Sequence, residues 1–252
     1  MNRVRPDPLP WFYRWRTDFV QTPLFALITA SFGSLALTIS LFERSGSLQH
    51  RIARVWARGC VWFSGSKMKV VGAENLHRCK VAVYTSNHTS YMDTPVIFSA
   101  LPFQFRILAR SVLWSIPFIG WYLNRSGQIP IDTSNPRATV SSLGEGARAL
   151  RSGMALFVFP EGRRTLDGRL QPFLSGAAYL AIRAQVPLVP MALNGVFELL
   201  PMHTRHFFPG ELMLRVGRPI ETRGMSLRQT DELTEQLRVA IQELIEMNRL
   251  SA

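Results

Sequence analysis

From Lys67 onward the chain alternates short apolar runs with longer segments of helical spacing, and few architectures accommodate that order. Residues 81–85, 105–109, 128–131, 155–159, 188–193 and 212–216 are short, apolar and bounded by Gly, Pro or polar residues, so they read as strands. Residues 94–100, 138–151 and 176–183 read as helices between them, and 227–250 as a final helix with apolar positions three and four apart. The pattern implies an α/β domain with a central mixed, partly parallel sheet flanked by helices, here 67–252. Ligands of such sheets sit beyond the carboxyl ends of the strands, so chemistry is sought in the loops that follow them.

Residues 1–66 are of another kind. The run 19–42 holds 24 residues without a charge, about 36 Å as a helix and enough to cross a bilayer core. Next, Leu48, Ile52, Val55, Trp56, Trp62 and Phe63 fall within one helical arc, with Arg51, Arg54 and Arg58 on the other side. A basic amphipathic helix with tryptophans suits a membrane surface, although an ordinary surface helix packed on the core has the same pattern. Arginines both precede and follow the apolar run, which gives no clear inside. A two-helix anchor dipping into one leaflet keeps them all on one side. The expected location is therefore the cytoplasmic face of the inner membrane, monotopic or single-pass.

Charge narrows the partner. Lys and Arg number 29 against 17 Asp and Glu, a net +12, and only three of the 29 are lysines. Guanidinium groups fork onto phosphate oxygens, so the partner is anionic: nucleic acid, phospholipid or a phosphorylated metabolite. The two cysteines, Cys60 and Cys79, exclude a disulfide framework and a cysteine-based zinc finger.

Two strand-end loops carry the chemistry. The first reads Ser86-Asn87-His88-Thr89-Ser90-Tyr91-Met92-Asp93. At this spacing the Asp93 carboxylate can hold one ring nitrogen of His88 and stabilise the imidazolium formed when the other takes a proton. Without a Ser or Cys elbow nearby, the dyad points to activation of a substrate hydroxyl. A helix cap by Asn87 or Ser90, with His88 merely polar, is the competing account. The second loop, Pro160-Glu161-Gly162-Arg163-Arg164-Thr165, follows an apolar strand and offers a glycine between Glu and paired arginines, suited to gripping a phosphate. A solvated turn explains it equally well when it is taken alone.

Together, H-x4-D and F-P-E-G-x-R about 70 residues later resemble the glycerolipid acyltransferase family, which includes the 1-acylglycerol-3-phosphate acyltransferases; Val189-Pro190-Met191-Ala192 matches a further block. The resemblance covers roughly residues 70 to 220. It implies His88 as general base on the acceptor hydroxyl, Asp93 orienting it, and Arg164 binding glycerol phosphate, with Glu161, Gly162 and Arg163 supporting the site. It further implies acyl-CoA or acyl carrier protein as co-substrate, a lysophospholipid acceptor at a membrane, and no other cofactor or metal.

Two departures qualify the match. The family's second block usually ends in arginine, where this chain has Thr133; Arg125 or Arg137 is the expected substitute, or the acceptor is another lysolipid such as a lyso-ornithine lipid. Arg163 stands where many members have threonine and adds a charge beside Arg164. Residues 111–123, strongly apolar, are read first as core packing, with an acyl groove or bilayer contact as alternatives; Arg106 and Arg110 flank them near a donor or acceptor phosphate. His203 and His206 read as surface residues. A basic nucleic-acid-binding protein is disfavoured, because no aromatic-basic strand or recognition helix accompanies the charge.

Overall fold

The computed structural model describes residues 11–247 apart from Arg44, Thr133, His203 and Arg205, and apart from the Tyr13 side chain. Helix α1 (Trp11–Trp15) passes through a π-helical stretch, Arg16–Gln21, into α2 (Thr22–Ile39), and α3 (Ser47–Phe63) follows. The π stretch ends beside Pro23, which has no N–H to return to the preceding turn. Then come β1 (Lys67–Val71), α4 (Glu74–Arg78), β2 (Val83–Ser86), α5 (Asp93–Ala100) and β3 (Phe105–Arg110). A 3-10 turn at Ser111–Ser115 leads to α6 (Ile119–Arg125), β4 (Ile129–Ile131), α7 (Pro136–Arg151) and β5 (Ala155–Val158). The chain closes with α8 (Gly176–Ala184), β6 (Leu188–Asn194), α9 (Val196–Leu199), β7 (Glu211–Val216), a 3-10 turn at Leu227–Gln229 and α10 (Thr230–Glu246).

The seven strands form one sheet in the order β1-β7-β6-β2-β5-β3-β4. Neighbours are parallel except β6 and β7, which run antiparallel. The sheet is therefore mixed and mainly parallel, as the alternation implied. Strands β2 and β6 are buried along their whole length, which is why they read as unbroken apolar runs. Pro190 of β6 precedes Met191, where pairing with β7 begins, so its missing N–H falls outside that ladder. β1 was not anticipated: its Lys-Met-Lys-Val-Val is an edge strand, exposed at four of five positions, and edge lysines discourage further pairing.

Helices α3 and α5 cover one face of the sheet, with Ala57, Cys60, Val96 and Phe98 in a shared core. Helices α7, α8 and α10 cover the other through Leu150, Leu180 and Leu237. Helix α3 therefore completes the core of the α/β domain, so a boundary at residue 66 cuts through a packed unit. It buries its small-residue side (Ala53, Ala57, Cys60) and not the predicted apolar arc, leaving Val55 and Trp62 in the open. Helix α2 docks on α3: the Trp56 indole Nε1 donates to Thr29 Oγ1 at 3.1 Å, and Phe25 lies against Trp56 and Phe207. Among the described residues one helical stretch, Arg16–Ile39, is long and apolar enough to cross a membrane, so the expected pair of anchor helices reduces to one such helix and a core helix with an apolar outer side.

Residues 111–123 depart from the core-packing expectation. Pro117 and Phe118, whose φ is +63°, interrupt the segment, and Val112, Ile116, Phe118, Ile119 and Trp121 are exposed. Gly120 is required there, because a Cβ would meet the Trp114 carbonyl oxygen at 2.1 Å.

Candidate active site

The loop after β2 is anchored before it reaches the histidine. Asn87 Nδ2 donates to the Leu193 carbonyl at 3.0 Å and its Oδ1 accepts from the Leu193 N–H at 2.7 Å, extending the contact between β2 and β6 by one amide pair. Ser90 Oγ donates to the Leu200 carbonyl. Ser90 Oγ also accepts the Met92 N–H at 3.2 Å, but α5 itself carries no side-chain cap, so the helix-cap account of the loop does not hold.

His88 and Asp93 meet as the spacing implied. The ring Nδ1 lies 2.8 Å from Asp93 Oδ2, and Asp93 is fully buried. The same oxygen accepts the backbone N–H groups of Thr89 and Ser90. A carboxylate so placed only accepts, so Nδ1 carries the hydrogen and donates, leaving Nε2 as the basic lone pair. Phe159 lies flat against the ring, centroids 3.9 Å apart and planes within 11°, fixing its plane from the side.

The second loop grips the first by the backbone of the histidine itself. The His88 N–H donates to Glu161 Oε1 at 2.6 Å, and the Thr165 N–H donates to the His88 carbonyl at 2.9 Å. Glu161 Oε2 accepts the Gln171 N–H at 2.8 Å. Burial pushes the Glu161 carboxyl up to about 7, while these two amide donors pull it back and the Asp93 charge adds to the rise. Gly162 turns the chain at φ +67°, a conformation that favours glycine.

Between the loops lies a cavity of about 370 Å³. His88, Arg110, Arg163 and Arg164 supply its polar wall; Leu108, Val112, Leu113, Ile131 and Leu174 are among its apolar residues. Arg164 is half-buried with its guanidinium over the Tyr91 ring, and Arg163 is exposed. Of the residues singled out from sequence, His88, Asp93, Glu161, Gly162, Arg163 and Arg164 therefore converge. Arg125 and Arg137 do not: Arg125 lines a separate groove with Leu37 of α2, Leu41 in the turn after it and Trp121, and Arg137 is exposed in the first turn of α7. Thr133 lies outside the described residues, as does His203, whereas His206 is half-buried. Arg106 packs its guanidinium over Gly127, away from the cavity wall. Arg110, at the carboxyl end of β3, is the residue that joins the paired arginines. Phe159 and Tyr91 had no functional assignment from sequence; the first lay hidden at the end of an apolar run and the second inside a motif defined by other letters. No cluster of metal-ligating side chains occurs among the described residues.

The acyltransferase family profile matches residues 67–194, which hold every converging residue. The chain belongs to the acyltransferase family. It is similar to the 1-acyl-sn-glycerol-3-phosphate acyltransferase BAT2, chloroplastic, of Brassica napus, at 32% identity over 72% of this chain and 53% of that one. A 1-acyl-sn-glycerol-3-phosphate acyltransferase of Saccharomyces cerevisiae is 28% identical over 87% of this chain and 75% of its own length. This acyltransferase chain spans about half the length of the first two plant relatives it matches. Its fold is that of the crystal structure of the 1-acyl-sn-glycerophosphate (LPA) acyltransferase PlsC of Thermotoga maritima, with TM-score 0.72 and 23% identity over 91% of this chain and 97% of that one.

Proposed function

We propose that this chain transfers a fatty acyl group from a thioester, acyl-CoA or acyl carrier protein, to the sn-2 hydroxyl of 1-acylglycerol-3-phosphate. The observation that carries the reading is the composition of one cavity: a carboxylate-held histidine, three arginines and apolar walls, the complement of an amphiphile with a phosphate and a reactive hydroxyl. The names of the relatives agree with it.

His88 Nε2 takes the proton of the acceptor hydroxyl as its oxygen attacks the thioester carbonyl. The C–O bond forms, the tetrahedral adduct collapses, the C–S bond breaks, and the imidazolium returns its proton to the departing sulfur. Asp93 stabilises the imidazolium without itself taking the proton. Arg164, Arg163 and Arg110 hold the phosphate, and the apolar side of the cavity receives hydrocarbon. The chain acts on membrane-borne lipid from the cytoplasmic face, with α2 in the bilayer; support comes from the length and apolar character of that helix, of which Ala36 alone is buried.

His88→Ala in purified enzyme is expected to lower turnover by at least about a hundredfold, the usual share of general-base catalysis, with thermal unfolding unchanged. Retained turnover sinks the mechanism. Running wild type on lysophosphatidate, lyso-ornithine lipid and monoacylglycerol in one mass-spectrometric assay decides the acceptor, and the phosphate-bearing substrate is expected to lead.

A further inference from the structure

Tyr91 sits between the two partners of the catalytic dyad in sequence, yet its ring serves the other loop. The Arg164 Cζ lies 3.9 Å from the ring centre. The tyrosine is 53% exposed, so it is not placed there to fill the core. Arg164 forms none of the ion pairs found among the described residues, and its Nε is buried without a hydrogen-bond partner. An arginine that must receive a substrate anion has to be held without being neutralised. A carboxylate would hold it by occupying the same N–H edge that the anion needs. An aromatic face instead binds the flat side of the guanidinium and leaves the in-plane N–H groups free to fork.

We propose that Tyr91 is a positioning residue for the acceptor's phosphate: a π platform that sets the plane of Arg164 so that its N–H groups meet phosphate oxygens. The proposal rests on the acyl-transfer reading above and extends it to a residue that does no proton chemistry. It also makes specificity a property of both loops, because the platform is on the histidine loop and the guanidinium on the other.

The test is steady-state kinetics of the full chain with lysophosphatidate in detergent micelles, comparing Tyr91→Phe, which keeps the face, with Tyr91→Leu, which removes it. Tyr91→Leu is expected to raise the acceptor KM about five- to tenfold with kcat within about twofold, and Tyr91→Phe to stay within about twofold on both, as a cation–π contact requires. In an Arg164→Ala background Tyr91→Leu is expected to add nothing. An unchanged KM, a Phe variant as impaired as the Leu variant, or additive losses overturns the proposal. Calorimetric titration of lysophosphatidate separates this from the parent reading. Wild type that binds without turning over refutes acyl transfer and leaves the Kd ratio of the two variants to judge Tyr91. Wild type that does not bind refutes both.

Discussion

Glu161 has to satisfy opposed demands. It is 5% exposed, and both of its oxygens face amide N–H groups that favour the ionised form, while burial lifts its pKa from 4.5 to about 7. A carboxyl whose folded pKa stands above its unfolded value contributes stability that is full below the unfolded pKa and lost as pH rises through the folded one. Wild type is therefore expected to lose about 2–3 kcal/mol relative to Glu161→Gln between about pH 4.5 and 7.5, read from urea unfolding at a series of pH values. The glutamine's own lost acceptor shifts all of its values equally, so only the slope matters. A pH-independent difference contradicts the assigned burial effect. Asn87 and Phe159 were opaque beforehand for a common reason: their roles are contacts across 106 and 71 positions of sequence, which no local spacing encodes. His88 and Asp93 were readable because five positions suffice to close their contact.

The loop from Pro160 to Gln171 behaves as one part, and Gly162 is where it turns. A Cβ there would lie 2.8 Å from Leu174 Cδ1, which can swing aside, but φ +67° cannot be relieved that way. Gly162→Ala is expected to cost about 1–2 kcal/mol from the backbone alone and to raise the acceptor KM as Arg164 shifts; urea unfolding and kinetics check both. Six strands were recoverable from sequence because they are short, apolar and bounded by turn residues. β1 was not, because an edge strand carries lysines where a core strand would carry valines. Helix α3 was placed correctly but turned to the wrong side. Its hydrophobic arc is the conspicuous feature, whereas close approach to α5 selects the small residues Ala53, Ala57 and Cys60. For residues 111–123, hydropathy alone suggested core. Pro117, Phe118 and Gly120 break the run into a 3-10 turn and the short helix α6, which cannot bury all their side chains.

Across the molecule, the net +12 is unevenly spread: residues 1–70 hold ten basic and three acidic side chains, against three and five in the last 27. The same N-terminal region exposes apolar side chains on α2 and α3, and the 112–121 segment continues that surface through the α2–α6 contact. Ile116→Asp/Phe118→Asp, neither of which lines the cavity, is expected to slow turnover of vesicle-borne lysophosphatidate about fivefold while detergent-dispersed acceptor stays within about twofold. Equal rates on both remove this surface from membrane contact. A different consequence follows from the double backbone grip on His88. In the proposed reaction, because Glu161 and Thr165 hold the histidine's own N–H and carbonyl, proton acceptor and phosphate clasp become parts of one caliper. Such a caliper counts bonds: it admits a hydroxyl at one fixed reach from the phosphate and leaves a hydroxyl one carbon nearer or farther out of register. Regiochemistry is then set by a jaw width and not by any group that touches the carbon bearing the hydroxyl.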